Sequence, residues 1–466
     1  MNPKQAKGLV IAAPASGSGK TVVTLGLLSH LARSGRKVAS AKAGPDYIDP
    51  AFHTAATGRP CLNLDPWAMR PGTLTGQAAE LGRDADLVVC EGVMGLFDGA
   101  FVKEGENDGS TAELSTLTGW PVILVIDARA QAASAAAVLK GFHGFRPDVD
   151  VAGVIFNRVG GERHADILKA ASGQSVPGVP VLGCLPRADG LELPSRHLGL
   201  VQAREHPDLE AFLDRAGALI AEHLDVDALL ELARPLALQG GGKAASSPAS
   251  PPASSQGPPL QPPLEPIGQR IAVASDEAFA FSYPSVTGGW RETGAEVVPF
   301  SPLAGEAPAP DADAVYLPGG YPELFAGHLA AATGFLEGLR GLAEKGAAVY
   351  GECGGYMVLG QGLVDADGAR HQMAGLLALE TSFAERRLHL GYRRAALVEA
   401  GPLGNQGQGF RGHEFHYAHV AREGPGDALF QARDAEGADL GPVGLRDGRV
   451  AGSFIHLIDR EGDENA

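Results

Sequence analysis

The sequence predicts an α/β protein with two domains, each built on a parallel β-sheet. Short apolar runs alternate with segments of helical spacing before and after residues 239–268, which are rich in proline, glycine and serine. Each of the two series also contains one strand–turn–helix motif with chemically active residues. Apolar runs of this length between helices are typical of strands that are buried on both faces of a parallel sheet.

The first domain is predicted at residues 1–238. Its apolar runs are too short for helices and are rich in Val, Ile and Leu, so we expect strands there. Helical spacing of apolar residues occurs at 21–33, 130–140 and 162–171. The predicted strands are residues 9–13, 38–41, 87–90, 122–126, 151–156 and 181–184.

Residues 239–268 are predicted to form a flexible linker, because such a segment buries too little apolar surface to offset the entropy of ordering it. The alternation resumes in the second domain, which is predicted at residues 269–466. We expect a helix at 329–344 and a last strand at 450–455. The other predicted strands of this domain are residues 271–274, 297–299, 315–318 and 347–350.

The composition excludes several classes of protein. The formal net charge is −17 at pH 7, whereas binding to nucleic acid or to anionic membranes needs a basic surface, so we expect neither partner. A membrane-spanning helix needs about 18 uninterrupted apolar residues, and the sequence contains no such run. The four cysteines form no C-x-x-C pair, so we expect a soluble protein of the reducing cytoplasm.

A phosphate-binding loop is predicted directly after the first strand. Small residues lead into Lys20-Thr21, which open an amphipathic segment. Backbone N–H groups and a helix N-terminus bind phosphate oxygens, Lys can reach the β- and γ-phosphates, and the Thr hydroxyl can hold Mg²⁺. Pro14 stands where the usual pattern has its first glycine, and the alternative is an ordinary turn; the order of strand, loop, Lys-Thr and helix favours ATP binding. The predicted ATP-binding residues are Gly17, Ser18, Gly19, Lys20, Thr21 and Asn157.

Carboxylates follow two further strands of the first domain. Asp46 and Asp49 come after the strand at 38–41, and Glu91 and Asp98 come after the strand at 87–90. The carboxyl ends of parallel strands meet at one edge of a sheet, which is where Mg²⁺ ligands are expected. The alternative is that these residues form turns and helix caps. Asn157 ends another strand, where its amide could contact the adenine edge of ATP or form a turn.

A nucleophile elbow is predicted at Gly351-Glu352-Cys353-Gly354-Gly355. Glycines on both sides allow the sharp strand-to-helix turn that presents the nucleophile. The helix N-terminus favours the thiolate, and the N–H of Gly354 can face an oxyanion. Gly320, after the strand at 315–318, can supply a second N–H. The alternative is a small buried cysteine in a glycine-rich turn.

A cysteine nucleophile also needs a base. His456 ends the apolar run at the chain's C-terminal end, where a last strand would bring it to the elbow. His413 and His416 are the other candidates. We therefore predict Cys353 and His456 as the catalytic pair.

Together these motifs resemble those of the cobyrinic and hydrogenobyrinic acid a,c-diamide synthases of cobalamin biosynthesis. The resemblance covers nearly the whole chain except the linker. It implies a P-loop domain like that of dethiobiotin synthetase, joined to a class I glutamine amidotransferase domain of flavodoxin-like α/β fold. The matching segments are residues 16–21, 44–50, 91–99, 317–323, 351–355, 412–417 and 453–456.

The resemblance implies an ATP- and glutamine-dependent ligase that amidates the c- and a-acetate carboxylates of a corrinoid through an acyl phosphate. Asp49 and Glu91 would bind the metal with Thr21. Asp46, Tyr47 and Asp98 would order the substrate and the acyl phosphate. The wider amidotransferase class has Glu two residues after its catalytic His, but this chain has Ile458 there, followed by Asp459. We therefore expect a Cys–His pair whose third member is open.

Similarity to the hydrogenobyrinic branch, in residues 13–21, 45–53 and 64–72, predicts the cobalt-free ring as the corrinoid substrate. The alternatives are another tetrapyrrole amidase, such as cobyric acid synthase or a nickel-sirohydrochlorin diamide synthase, and a partition-type ATPase switch with a non-catalytic C-terminal module. The expected co-substrates are ATP and L-glutamine, with Mg²⁺ as cofactor. A homodimer is compatible with the sequence.

Overall fold

The computed structural model describes residues 6–188, 190–193, 195–196, 199–237 and 261–462. The chain divides into two compact units. The first unit contains residues 1–67, 74–100 and 105–254, and the second contains residues 68–73, 101–104 and 255–466. Two short segments of the N-terminal half, residues 68–73 and 101–104, therefore belong to the second unit. A single domain boundary at residue 238 does not account for them.

The first unit is built on a sheet with the strand order β3-β2-β4-β1-β5-β6-β7, in which all neighbours are parallel. A short strand, β10, pairs antiparallel with the start of β1. All six predicted strands are present. Two further short strands, β8 and β9, pair antiparallel with each other outside this sheet. The strands of this part of the chain are β1 (Lys7–Ala12), β2 (Val38–Ala43), β3 (Leu62–Leu64), β4 (Leu87–Glu91), β5 (Val122–Asp127), β6 (Val151–Val159), β7 (Val181–Pro186), β8 (Ser195–Arg196), β9 (Gly199–Leu200) and β10 (Arg234–Pro235).

Helices surround this sheet because its apolar strands must be covered on both faces. Leu9, Ile11 and Val125 are fully buried and share a core with Leu27 and Leu28 of the first helix. The helices of this part of the chain are α1 (Lys20–Arg33), α2 (Asp49–Thr57), α3 (Pro71–Leu81), α4 (Thr111–Thr118), α5 (Ser134–Phe145), α6 (Glu162–Ser175), α7 (Leu209–His223) and α8 (Val226–Leu232).

The second unit contains a mixed sheet with the strand order β12-β11-β13-β14-β23-β22-β21-β18-β19-β24. The first five strands are parallel and the remaining pairings are antiparallel. Four further strands form a separate sheet with the order β16-β15-β17-β20. The strands of this part of the chain are β11 (Arg270–Ala274), β12 (Glu296–Phe300), β13 (Ala314–Leu317), β14 (Ala348–Glu352), β15 (Gly362–Val364), β16 (Arg370–Gln372), β17 (Leu379–Ser382), β18 (His389–Leu397), β19 (Gly409–His416), β20 (His419–Glu423), β21 (Asp427–Arg433), β22 (Asp439–Asp447), β23 (Val450–Ser453) and β24 (His456–Arg460).

The helix predicted at 329–344 is two helices, because the backbone at Ala332 leaves the helical region with a ψ of 66°. These are α10 (Ala326–Ala331) and α11 (Thr333–Glu344), which lie between α9 (Pro284–Glu292) and α12 (Gly354–Leu359). The strand predicted at 450–455 likewise ends at Ser453, and a new strand begins at His456.

The predicted linker differs from the structure at its C-terminal end. Residues 239–260 lie outside the described residues. Beyond them, Leu264 and Ile267 are each only 4% exposed, and the N–H of Arg460 donates a hydrogen bond of 3.1 Å to the carbonyl of Pro263. These apolar side chains gain more by burial against the second unit than an extended linker would allow.

Candidate active sites

The phosphate loop lies between β1 and α1, as the sequence predicts. Gly17 and Gly19 have φ values of +79° and +93°, which favour glycine, and α1 begins at the next residue, Lys20. The Ser18 hydroxyl donates a hydrogen bond of 2.8 Å to the carbonyl of Ala15. The loop is therefore a tight turn whose N–H groups lead into a helix N-terminus, which is the geometry that binds phosphate.

The end of β6 supports this loop from the side. Asn157 Nδ2 donates to the carbonyl of Ser18 at 3.0 Å, and its Oδ1 accepts the N–H of Arg158 at 2.9 Å. A Cβ on Gly19 would lie only 2.1 Å from Asn157 Nδ2, so this contact requires glycine. One N–H and one lone pair of the Asn157 amide thus hold the loop, and its predicted contact with adenine stays a prediction.

Lys20 and Thr21 connect the loop with the segment that follows β4. Lys20 Nζ donates to the carbonyl of Met94 at 2.7 Å. Thr21 Oγ1 donates to Glu91 Oε1 at 2.7 Å. Burial and the nearby Lys42 ammonium lower the pKa of Lys20. The ends of β1 and β4 therefore converge on one site, which contains a hydroxyl, a carboxylate and an ammonium group.

Lys42, a residue that the sequence analysis did not select, lies between the two predicted metal-binding carboxylates. Its Nζ is 2.6 Å from Asp49 Oδ2, 3.2 Å from Glu91 Oε1 and 3.2 Å from the carbonyl of Gly92. Burial opposes its charge, but Asp49 and Glu91 outweigh that effect and raise the pKa of Lys42. The buried charges are thus paired, which burial in a low-dielectric site requires.

Glu91 is also contacted by a histidine that the sequence analysis did not select. His53 Nε2 lies 2.7 Å from Glu91 Oε2, and both side chains are fully buried. His53 Nδ1 lies 3.4 Å from Cys61 Sγ. Burial favours the neutral acid, yet Lys42 and His53 together hold the pKa of Glu91 well below its usual range. Glu91 is therefore an ionised carboxylate fixed from two sides.

The remaining predicted residues of this unit lie in the loops beside that cluster. Asp46 Oδ1 accepts the N–H groups of Ile48 and Asp49 at 2.8 and 3.0 Å. Asp46 is thus a turn-forming carboxylate at the start of α2, which was the alternative explanation. Tyr47 is half-buried in the same turn. Asp98 is exposed, and its Oδ2 accepts the N–H of Gly95 at 2.8 Å.

The second site lies at the carboxyl end of β14, where the chain turns sharply into α12. Cys353 has a φ of +47° and a ψ of −104°, which is strained for any residue other than glycine. A Cβ on Gly355 would lie 1.9 Å from the carbonyl oxygen of Leu317, so glycine is what lets the turn approach β13. The predicted nucleophile elbow is present with its strained residue at Cys353.

His456 lies beside Cys353. Ser453 pairs with Glu352 where β23 runs along β14, and β24 begins at His456. A Cβ on Gly319 would lie 2.4 Å from His456 Cε1 and 3.3 Å from Cys353 Cβ, so both side chains meet over that glycine. Burial raises the pKa of the Cys353 thiol and lowers that of the His456 imidazole. The pair is therefore neutral, with a thiol next to a base.

The other histidines lie behind His456. His413 stacks on it with ring centroids 4.9 Å apart, and Tyr283 Oη lies 2.9 Å from His413 Nε2. His416 stacks on Phe454 at 4.0 Å. Burial lowers the pKa of both His413 and His416 to about 3. Of these three histidines, His456 is the one whose ring meets Cys353 over Gly319.

The two glycines predicted to face an oxyanion adjoin the nucleophile. A Cβ on Gly354 would lie 3.1 Å from the backbone nitrogen of Gly320. Gly320 in turn packs against the carbonyl of Ala278, which a Cβ would approach to 2.2 Å. The backbones of Gly320 and Gly354 thus meet next to Cys353, where two N–H groups could stabilise a negative oxygen.

Comparison with known protein families finds one match in the N-terminal half of the chain and one in the C-terminal half. Residues 9–201 match the CobQ/CobB/MinD/ParA nucleotide binding domain, and residues 270–463 match the CobB/CobQ-like glutamine amidotransferase domain. Together with the two sites, these matches define a glutamine-hydrolysing ligase that couples nucleotide binding to amide formation. The α/β fold class predicted from the sequence is confirmed.

Full-length relatives define the family. Hydrogenobyrinate a,c-diamide synthases of Brucella anthropi and Brucella suis are each 52% identical to this chain and cover 98% of it, and the match spans 100% and 99% of their own lengths. The enzyme of that name from Rhizobium meliloti is 52% identical over 97% of the chain. The chain belongs to the hydrogenobyrinate a,c-diamide synthase family, and the predicted resemblance is confirmed.

Two further findings bear on the predicted cofactor and environment. Over residues 6–188, 190–193, 195–196, 199–237 and 261–462, no group of three or more His, Cys, Asp or Glu side chains is arranged to hold a metal ion. Within the same ranges, every helix is too short or too polar to span a membrane.

Proposed function

We propose that this protein converts the a- and c-acetate carboxylates of hydrogenobyrinic acid into amides, with L-glutamine as the nitrogen source and ATP as the activating co-substrate. The names of relatives that match nearly the whole chain support this substrate. The observation that carries the proposal is that one chain holds both a phosphate loop whose Thr21 contacts Glu91 and a buried cysteine that adjoins His456.

The proposed glutaminase reaction takes place at Cys353. His456 accepts the thiol proton, and the sulfur attacks the side-chain amide carbon of glutamine. The N–H groups of Gly354 and Gly320 face the oxygen that becomes negative. Ammonia leaves with the proton from His456, and water hydrolyses the thioester to glutamate. Because burial raises the pKa of Cys353, the nucleophile forms only when the base takes its proton.

The proposed ligase reaction takes place at the phosphate loop. The backbone of Gly17, Ser18 and Gly19 and the Lys20 ammonium hold the phosphates of ATP. A carboxylate oxygen of the substrate attacks the γ-phosphorus, and ADP leaves. Ammonia then attacks the carbonyl carbon of the acyl phosphate, and inorganic phosphate leaves. A free carboxylate is a poor electrophile, so this activation makes the amide accessible.

The loops around Asp46, Tyr47 and Asp98 are proposed to order the substrate and the acyl phosphate. Asp98 is exposed and is therefore accessible to a ligand. Tyr47 is half-buried and its hydroxyl oxygen is buried, so its ring is the part that a ligand can reach. The Asp46 carboxylate holds the turn that leads to Asp49. In this proposal Asp46 acts through the loop, whereas Tyr47 and Asp98 contact the ligand.

Mg²⁺ is proposed as the cofactor, with Thr21, Asp49 and Glu91 as its protein ligands. The hydroxyl and carboxylate oxygens that meet at Thr21 and Glu91 are of the type that Mg²⁺ prefers. Protein sites for Mg²⁺ usually supply only one or two carboxylates and leave the rest to water and phosphate oxygens. When bound, Mg²⁺ would offset the negative charge of the phosphates and of the substrate.

A cytoplasmic location is part of the proposal. All four cysteines, Cys61, Cys90, Cys184 and Cys353, are free thiols. A nucleophilic thiol is kept reduced in the cytoplasm, whereas an oxidising compartment favours disulfides.

The proposed substrate is tested by comparing hydrogenobyrinic acid with cobyrinic acid at fixed glutamine and Mg-ATP. The expected result is a higher kcat/KM for the cobalt-free ring and a product with amides at the a and c positions. A clear preference for cobyrinic acid would overturn the choice of ring and leave the chemistry intact. Amidation of other carboxylates would indicate the activity of a cobyric acid synthase instead.

A further inference from the structure

We propose that Glu352, the residue directly before Cys353, positions the His456 imidazole during glutamine hydrolysis. The inference rests on the proposed roles of Cys353 and His456 and deepens them. The usual position for the third member of such a site is Ile458, an apolar side chain. The next residue, Asp459, accepts hydrogen bonds from Arg70 at 2.8 and 3.0 Å, so its carboxylate is already committed elsewhere.

The Glu352 carboxylate is held from two directions. Its Oε2 accepts the hydroxyl of Tyr316 at 2.8 Å, and its Oε1 accepts the N–H of Leu457 at 3.2 Å. Tyr316 lies on β13, the parallel neighbour of β14. Leu457 directly follows His456 on β24. One hydrogen bond thus links the carboxylate to the strand that carries the histidine, and the other prevents the carboxylate from turning away.

This arrangement places Glu352 Oε2 3.9 Å from His456 Nδ1, with both side chains almost fully buried. The separation is within ion-pair range and longer than a hydrogen bond. Catalytic hydrogen bonds in ligand-free enzymes are often long and tighten when substrate binds. A shift of less than about 1 Å would close the contact. Nδ1 is the ring nitrogen within 3.9 Å of Glu352. Cε1, the ring carbon between Nδ1 and Nε2, is the His456 atom nearest to the Cβ position of Gly319, beside Cys353.

The charges explain why a carboxylate matters here. Burial keeps His456 neutral at rest, and burial also raises the pKa of Glu352 to about 7, although Tyr316 and the N–H of Leu457 oppose this. Once the Cys353 proton has moved to His456, a buried imidazolium forms. A carboxylate 3.9 Å away stabilises it more strongly than it would in water, because the local dielectric is low.

The test compares three variants of the full-length protein. Glu352→Gln keeps the shape and removes the charge. Tyr316→Phe keeps the charge and removes one hydrogen bond to it. Tyr356→Phe is the matched control, because it also removes a hydroxyl from a buried tyrosine of this unit but leaves Glu352 untouched. For each variant kcat and KM for glutamine hydrolysis, ammonia-driven synthesis and the melting temperature are measured.

The expected result for Glu352→Gln is a kcat for glutamine hydrolysis that falls about 100-fold, with KM for glutamine and ammonia-driven synthesis within about twofold of wild type. Tyr316→Phe should lose about 5-fold in the same kcat, and Tyr356→Phe should be unchanged. If Glu352→Gln does not fold, the test is the comparison of Tyr316→Phe with Tyr356→Phe. A selective loss of kcat for glutamine hydrolysis in Tyr316→Phe alone then supports the inference.

Two results would overturn the inference. One is a Glu352→Gln enzyme whose glutaminase kcat stays near wild type while Cys353→Ala has none; the proposed glutaminase site would then stand and only the role of Glu352 would fail. The other is parallel loss of both activities with a lower melting temperature, which indicates a structural role. Glutaminase activity that survives in Cys353→Ala would instead refute the proposed function of this site.

Discussion

His53 Nε2 lies 2.7 Å from Glu91 Oε2, and neither side chain is exposed to solvent. The other Glu91 oxygen accepts the Thr21 hydroxyl at 2.7 Å. Helices α1 and α2 therefore contact the two oxygens of one carboxylate at the end of β4. The orientation of the Glu91 carboxylate is therefore fixed before any ligand binds.

The His53–Glu91 contact predicts a large stability effect. His53→Ala would leave Glu91 without one of its buried partners, and losing one member of a buried ion pair typically costs about 3 kcal/mol or more. We expect a loss of that size in the free energy of unfolding, measured by urea denaturation. The control is His143→Ala, an exposed residue of α5, which should change stability by less than about 0.5 kcal/mol. Equal stability of the two variants would contradict the prediction.

The Cys353 assignment predicts that the two nitrogen sources can be separated. Cys353→Ala should abolish glutamine-driven amidation and retain synthesis with a high concentration of ammonium, because the thiol serves only to release ammonia. The assay follows the amidated product with each nitrogen source. Cys184→Ala, which alters a half-buried cysteine of the other unit, is the matched control and should keep both activities. Wild-type use of glutamine by Cys353→Ala would refute the assignment.

The phosphate loop predicts the opposite pattern. Lys20→Ala should remove synthesis with either nitrogen source, by about 100-fold or more, because Lys20 stabilises the charge on the phosphoryl group that is transferred. Some glutamine hydrolysis should remain, measured as glutamate release. Lys140→Ala, an exposed lysine of α5, is the control. If Lys20→Ala made the amide from ammonia at a normal rate with saturating ATP, the loop would not be the activating site.

A substitution of Asp459 tests whether this residue is the third member of the Cys–His site. Its carboxylate binds the backbone N–H and the guanidinium of Arg70. Asp459→Asn weakens charged hydrogen bonds and should therefore reduce the free energy of unfolding by about 2 kcal/mol, while kcat for glutamine hydrolysis stays within about threefold of wild type. A selective loss of glutaminase kcat with normal stability would mean that Asp459, and not the neighbouring carboxylate of Glu352, acts on His456.

The elements that were predicted correctly have strong local patterns. Strands β1, β4 and β5 are continuous apolar runs that are buried on both faces, so their period is unambiguous. The antiparallel half of the second sheet is different, because strands such as β18 contain half-buried polar residues and exposed as well as buried apolar residues without regular alternation. Packing against neighbouring strands determines that these residues form strands, so the local sequence does not predict them.

The site residues divide in the same way. Lys20, Thr21 and Cys353 are in short motifs whose spacing is itself the signal. Glu352 could not be selected from the sequence because its partners are distant along the chain, at 36 and 105 positions away. Lys42 combines a near partner, Asp49, with a distant one, Glu91. A lysine that follows a strand and precedes a predicted metal ligand, Asp49, was the one local signal that could have identified Lys42.

The central claim, that glutamine hydrolysis at Cys353 feeds amide formation on an ATP-activated carboxylate, is tested most directly with isotope-labelled glutamine. The purified protein is incubated with hydrogenobyrinic acid, Mg-ATP and glutamine whose side-chain amide carries heavy nitrogen, in the presence of unlabelled ammonium, and the product is analysed by mass spectrometry. The account predicts a diamide with heavy nitrogen in both new amides, and no amide when ATP is omitted or when Cys353→Ala is used without ammonium. A product that carries only unlabelled nitrogen, or amides that form without ATP, would contradict it.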